Sequence, residues 1–210
     1  MPPNEAPPDL SDAPEEWPVL ASEDLYRGGA PFAVRSDRLH HPDDPAAESF
    51  DRVVVEHPGA AVVLAVDARE RVLVVRQYRH PVGQRLVELP AGLLDQPGED
   101  PEQAARRELV EEAGYDARSW THLGSTFSSP GITAEVIHLY LARDLAPADR
   151  GDFEPRHEEA DMELLWVPFA DLLEGVLSGR TANAPLVNAV LLARARGLVG
   201  GTPEHYGRFS

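Results

Sequence analysis

The sequence contains no cysteine, which excludes disulfides, thiolate metal ligands and cysteine nucleophiles together. It is also poor in cations: 19 Lys and Arg stand against 36 Asp and Glu, a formal net charge of -17. A surface of that sign repels nucleic-acid backbones and anionic headgroups, so neither a nucleic-acid polymer nor a membrane is an expected partner. No apolar run approaches the ~18 residues of a membrane span. The opening MPPNEAPPDLSDAPEEWP lacks the basic and apolar segments of a secretory leader, so a cytoplasmic protein is the expectation. The charge balance has a second consequence. If the substrate is a small anion, something cationic must screen it locally, and a divalent metal does so most directly.

What is present suits one globular domain, since 210 residues with 42% hydrophobic content can close a full core. Residues 1–18 are rich in Pro and acid, with Leu10 and Trp17 as the large apolar groups, and read as a disordered tail. A folded domain is expected over 19–197 and a flexible tail over 198–210. Inside the domain RVVVE (52–56), AAVVLAV (60–66), RVLVVRQY (71–78), LVEL (86–89), AEVIHLYLA (134–142) and ELLWV (163–167) have the β-branched content and short length of strands. Helices are expected over 101–113, 168–177 and 184–196. Strands, one helix, more strands and two helices make an α+β order with a mixed sheet, not a strict alternation.

The first helix announces both its ends. Asp100 is a capping residue, Pro101 fits the first helical position, Gln103 stands where a capping-box partner belongs, and Gly114 supplies the stop. At 3.6 residues per turn Glu108, Glu111 and Glu112 share one face. Like charges so placed cost an isolated helix ~0.2–0.5 kcal/mol per pair, so they need either open solvent or a cation. Arg107 reaches Glu111 one turn on, leaving Glu108 and Glu112 as the freer pair. Upstream, ELPAGLLDQPGE adds a glycine-bearing loop and another carboxylate, Glu99. Hard oxygen donors without cysteine suit Mg²⁺ or Mn²⁺ better than zinc.

The stretch 92–115, GLLDQPGEDPEQAARRELVEEAGY, resembles the signature box of the Nudix hydrolases through Gly92, Glu99, Arg107, Glu108, Glu111, Glu112 and Gly114. Two departures are visible: six residues instead of five separate Gly92 from Glu99, and Tyr115 stands where the box closes on an aliphatic residue. The resemblance implies a Nudix-type α/β/α sandwich whose glutamates hold metal on a diphosphate. It makes Glu108 and Glu112 the principal ligands, Glu111 an auxiliary one and the Ala91 carbonyl a further donor. Arg107 then orients a glutamate. Magnesium, with manganese as a substitute, is the implied cofactor.

Three further segments, RVVVEHPGAAV (52–62), QYRHPVGQRLVELPAG (77–92) and SSPGITAE (128–135) with its Pro130, are similar to the ADP-ribose pyrophosphatase branch of that family. The likeness makes Arg52 and Arg79 candidates for the adenosine and phosphate portions, Glu88 and Glu135 for polar contacts, and Phe32 for stacking on adenine. It also places a water-activating glutamate in the acidic stretch HEEAD, at Glu159 with Glu158 as the alternative. A homodimer with crossing N-terminal strands is implied as well. The implied reaction is hydrolysis of ADP-ribose to AMP and ribose 5-phosphate. Other nucleoside diphosphate sugars, oxidised nucleotides, or binding without hydrolysis are the alternatives.

Overall fold

The structure is a computed structural model that describes residues 9–29, 31–44, 46–151 and 161–201. Its centre is a mixed four-stranded sheet in the order β7-β4-β9-β8: β4 (Ala60–Ala65), β7 (Ala91–Leu93), β8 (Tyr115–Phe127) and β9 (Val136–Pro147). Strands β4 and β9 run parallel, whereas β7 and β8 are antiparallel to their neighbours. The near-continuous apolar run of β4 follows from burial on both faces. Val62 and Leu64 face one hydrophobic cluster, and Ala61, Val63 and Ala65 face another.

The first cluster lies under helices α2 (Phe169–Leu177) and α3 (Ala184–Ala195), through Phe169, Leu172, Leu186 and Val190. The second lies under α1 (Pro101–Ala113), whose inner ridge is Ala104, Ala105, Leu109 and Ala113. Alanine dominates this seam on both sides, with Ala61, Ala65, Ala117 and Ala142 opposite. Small side chains let the helix sit close against the sheet, and fully buried Leu109 adds about 2 kcal/mol of apolar burial. The result is the helix–sheet–helix sandwich of an α+β protein.

The ends of α1 form as its sequence dictates. Asp100 accepts from the Gln103 N–H at 2.9 Å while the Gln103 side chain accepts from the Asp100 N–H at 3.0 Å. Gly114 then takes φ 71, a left-handed value that glycine adopts without strain, and its N–H reaches the Leu109 and Val110 carbonyls.

A second sheet, β10-β5-β6, packs beside the first: β5 (Arg71–Arg79), β6 (Gln84–Glu88) and β10 (Glu163–Pro168). A third, β1-β2-β3, is built from β1 (Val19–Arg27), β2 (Ala33–Leu39) and β3 (Phe50–Glu56). It is pinned to the rest where the Val55 N–H donates to the Ile132 carbonyl at 2.8 Å. Strands β1, β2, β7 and β8 are not among the expected strands. Every residue of β1 is exposed and β8 is mostly polar, so neither carries the apolar pattern that marks a strand in sequence. Ahead of β1, Trp17 packs edge-on against His41 at 4.8 Å and near Phe50 at 6.2 Å. The packed chain also continues past 197, because Val199 is buried in the first cluster and the Gly200 N–H donates to Glu70.

Candidate active site

A cleft of about 710 Å³ opens between the two inner sheets and the acidic side of α1. It draws residues from β4, β5, β6, β7, α1 and the start of α3. Of the residues singled out from the sequence, it gathers Arg79, Glu88, Ala91, Arg107, Glu108, Glu112 and Glu135.

Glu108 and Glu112 form the ridge of α1 next to its alanine seam, one turn apart, and are only 9% and 8% exposed. The seam draws them to the sheet edge, where the Ala91 N–H donates to Glu112 Oε2 at 3.0 Å. Gly92 faces Glu108 so closely that a Cβ there would lie 1.9 Å from its carboxylate. The glycine is needed for space, not for a special φ.

Arg107 is the hub of the acidic face. Its Nε and Nη2 fork onto both oxygens of Glu99 at 3.0 Å, while Nη1 donates to Glu108 at 2.5 Å and to Glu111 at 3.1 Å. One cation thus serves three carboxylates, and Glu108 is not the freer group that helix spacing alone suggests. The hydrogen bonds to Glu99, with further help from Glu108, hold the guanidinium protonated even more firmly than an ordinary arginine. It therefore fixes carboxylates in place and does not exchange protons. Glu111 leans on Arg107 at the rim and is not part of the cleft lining.

Across the cleft Arg79 forks onto buried Glu88, with Nη2 to Oε2 at 2.7 Å and Nε to Oε1 at 3.0 Å. Glu135 lies 3.3 Å from the His57 ring. Five carboxylates of the lining (Glu88, Asp95, Glu108, Glu112, Glu135) face two guanidiniums (Arg79, Arg107). An anion entering this cleft meets net negative charge, so a cation must enter with it.

The donor set fits magnesium in a specific way. Among the described residues no three carboxylate or imidazole side chains converge into a ready-made cage. Mg²⁺ characteristically takes one or two carboxylates and completes its octahedron with water and substrate phosphates. Glu108, Glu112 and the backbone at Ala91 match that habit, and nothing here offers the soft ligands of a zinc site.

Phe32 lies outside the cleft, in an adjoining hollow of about 290 Å³ with Arg27, Glu56 and His57, and His57 lines both spaces. Arg52 is not brought to the cleft. Its side chain is exposed, and its guanidinium stacks over the ring of Phe50, two residues back on the same face of β3, at 4.6 Å. Glu158 and Glu159 lie outside the described residues. Gln77, His57 and Asn183, which are not among the candidates named from the sequence, also line the cleft. A signal for Gln77 was available: it stands two residues before Arg79, so in a strand the two share a face.

Comparison with known proteins agrees with this geometry. The family model for the NUDIX domain matches residues 55–190. The chain is 40% identical over 183 residues to an ADP-ribose pyrophosphatase of Mycobacterium tuberculosis, covering 87% of this chain and 86% of that protein. It is 36% identical over 177 residues to one from Bacillus subtilis, covering 83% and 91%. A crystal structure of an ADP compounds hydrolase superposes with a TM-score of 0.71 at 24% identity, over 90% of this chain and 97% of that one, a likeness of fold.

Proposed function

The chain belongs to the NUDIX family of hydrolases, and on that footing we propose that it cleaves the diphosphate of ADP-ribose, releasing AMP and ribose 5-phosphate, with Mg²⁺ as cofactor and Mn²⁺ able to replace it. The observation that carries this reading is the pairing, in one cleft, of two buried carboxylates one turn apart with an opposite wall holding Arg79. Magnesium bound there would neutralise charge on the diphosphate and acidify a water. Glu108, Glu112 and the Ala91 carbonyl would hold it, Glu111 would assist from the rim, and Arg107 would keep the glutamates aimed. Arg79, set by Glu88, would bind phosphate, and Glu135 would accept from a sugar hydroxyl or water. Glu159 is the group proposed to take the proton of the attacking water, whose oxygen ends on one of the two product phosphates. The cytoplasm is the location proposed with this reading, and no helix of the described residues is long and apolar enough to cross a membrane.

The test is an assay with ADP-ribose and Mg²⁺, with products resolved by chromatography. AMP and ribose 5-phosphate should appear in equal amounts, cease with EDTA, and fall far more in Glu159→Gln than in Glu158→Gln. Absence of products, or indifference to EDTA, would overturn the reading.

We further propose a homodimer through the β1-β2-β3 sheet. Among the described residues nothing pairs with the outer edge of β1, and Leu20, Leu25, Tyr26 and Val53 expose 46–58% of their surface on this sheet, an apolar area that a second copy would cover. In that assembly Phe32 and Arg52 are the groups offered to adenine and its phosphate. Light scattering on the active sample should return twice the chain mass. A fully active monomer would rule the arrangement out.

A further inference from the structure

Gln77 lies in the cleft wall with a carboxamide that the described part of the protein does not bind. It is 6% exposed, yet its carboxamide has no hydrogen-bond partner among the described residues. It is not sealed away either. Among the described residues the enclosed side-chain polar atoms without a partner are Thr126 Oγ1 and Arg194 Nε, whereas Gln77 lines the open cleft. An amide so placed meets the solvent of the cleft and can exchange it for the hydroxyls of a ligand, a net gain of about 0.5–1.5 kcal/mol per hydrogen bond. Its neighbours do not relieve it: the facing residue across the strand pair is Leu86, and on its own strand Arg79 is committed to Glu88.

The chemistry of the surrounding wall says what the carboxamide waits for. An amide offers one acceptor oxygen and an NH₂ donor side by side, a match for two adjacent hydroxyls or for the edge of a base. A bound nucleobase also wants a stacking plane, and no Phe, Tyr or Trp is among the residues lining this cleft. The aromatic ring nearby, Phe32, belongs to the adjoining hollow on the far side of His57. The base therefore has its place there, and the moiety beside Gln77 is one rich in hydroxyls and without an aromatic face. Resting on the ADP-ribose reading, we propose that Gln77 is a specificity-determining residue. Its Oε1 accepts from one hydroxyl of the terminal pentose, and its Nε2 donates to the neighbouring one.

The test is Gln77→Leu, close in volume and without polar atoms. On ADP-ribose its kcat/KM should fall about tenfold, chiefly through KM, for the loss of two neutral hydrogen bonds. On an analogue whose terminal ring lacks the 2- and 3-hydroxyls, wild type should lose a similar factor and the variant nothing more, since both changes remove the same bonds. The variant should melt no lower than wild type, because leucine keeps the volume and the amide it replaces makes no bond to the described residues. Independent losses on the two substrates would overturn the assignment. So would a lowered melting temperature with unchanged kinetics, which marks a structural role, or a loss that disappears when hypoxanthine replaces adenine, which marks base reading. A wild type inert toward ADP-ribose would remove the substrate reading and this inference with it. An active wild type with an unaffected variant would remove this inference alone.

Discussion

Glu112→Gln is expected to lower turnover by two to three orders of magnitude at saturating Mg²⁺ while the protein stays folded, as judged by circular dichroism and a melting temperature within a few degrees of wild type. The change is isosteric, and the new side-chain oxygen can still accept from the Ala91 N–H, the bond of 3.0 Å that fixes this position. What disappears is a full negative charge at a site only 8% exposed. There a carboxylate acts through a weakly screening medium and its loss is felt more than at a surface. Removing the charge also relieves repulsion with Glu108 one turn away, so stability should not suffer. A variant with the wild-type rate would exclude Glu112 from the metal site.

Gly92→Ala should be nearly as damaging although it removes no functional group. The added methyl would fall 1.9 Å from the Glu108 carboxylate carbon and oxygen and 2.3 Å from its Cγ, far inside any tolerated contact. Glu108 cannot swing away cheaply, because it is buried and its oxygen is held by Arg107. Either the carboxylate or the β7 backbone must shift by an ångström or more. A displacement of that size in a positioning group costs on the order of a hundredfold in rate. The expected signature is a turnover reduced by about that factor, with activation requiring more Mg²⁺ than in wild type. Unchanged activation by Mg²⁺ would show that the close approach does not position the ligand.

These two residues illustrate what could be read without coordinates. The identities of Gly92, Glu108 and Glu112 stand in a spaced motif, and α1 carries its limits in Asp100, Pro101, Gln103 and Gly114, so the helix appears over the expected span. The reason for Gly92, a missing Cβ at the carboxylate, depends on how β7 meets α1 and is invisible in one dimension. The strands buried on both faces, such as β4 and β5, were legible because their apolar runs are short and β-branched. The exposed β1 and the polar β8 were not, since a strand without a buried face leaves no hydrophobic period. Arg52 shows the same limit from the other side: a motif names the residue, but only the place of β3 in the fold shows that it does not line the cleft. Strand periodicity can set Gln77 on the face of Arg79, but its burial and its open hydrogen-bonding capacity are visible only in the fold.

The alanine-lined contact between α1 and the central sheet bears on how this enzyme tolerates change. Alanine has no rotamers with which to absorb an intruding methyl, so a bulkier residue at Ala104 or Ala105 must move the whole helix. Both positions are wholly buried on the side of α1 turned toward the sheet. Damage there would surface as faulty chemistry before it surfaced as misfolding, and a screen for inactive variants would recover lesions in this interior strip beside those in the glutamates themselves.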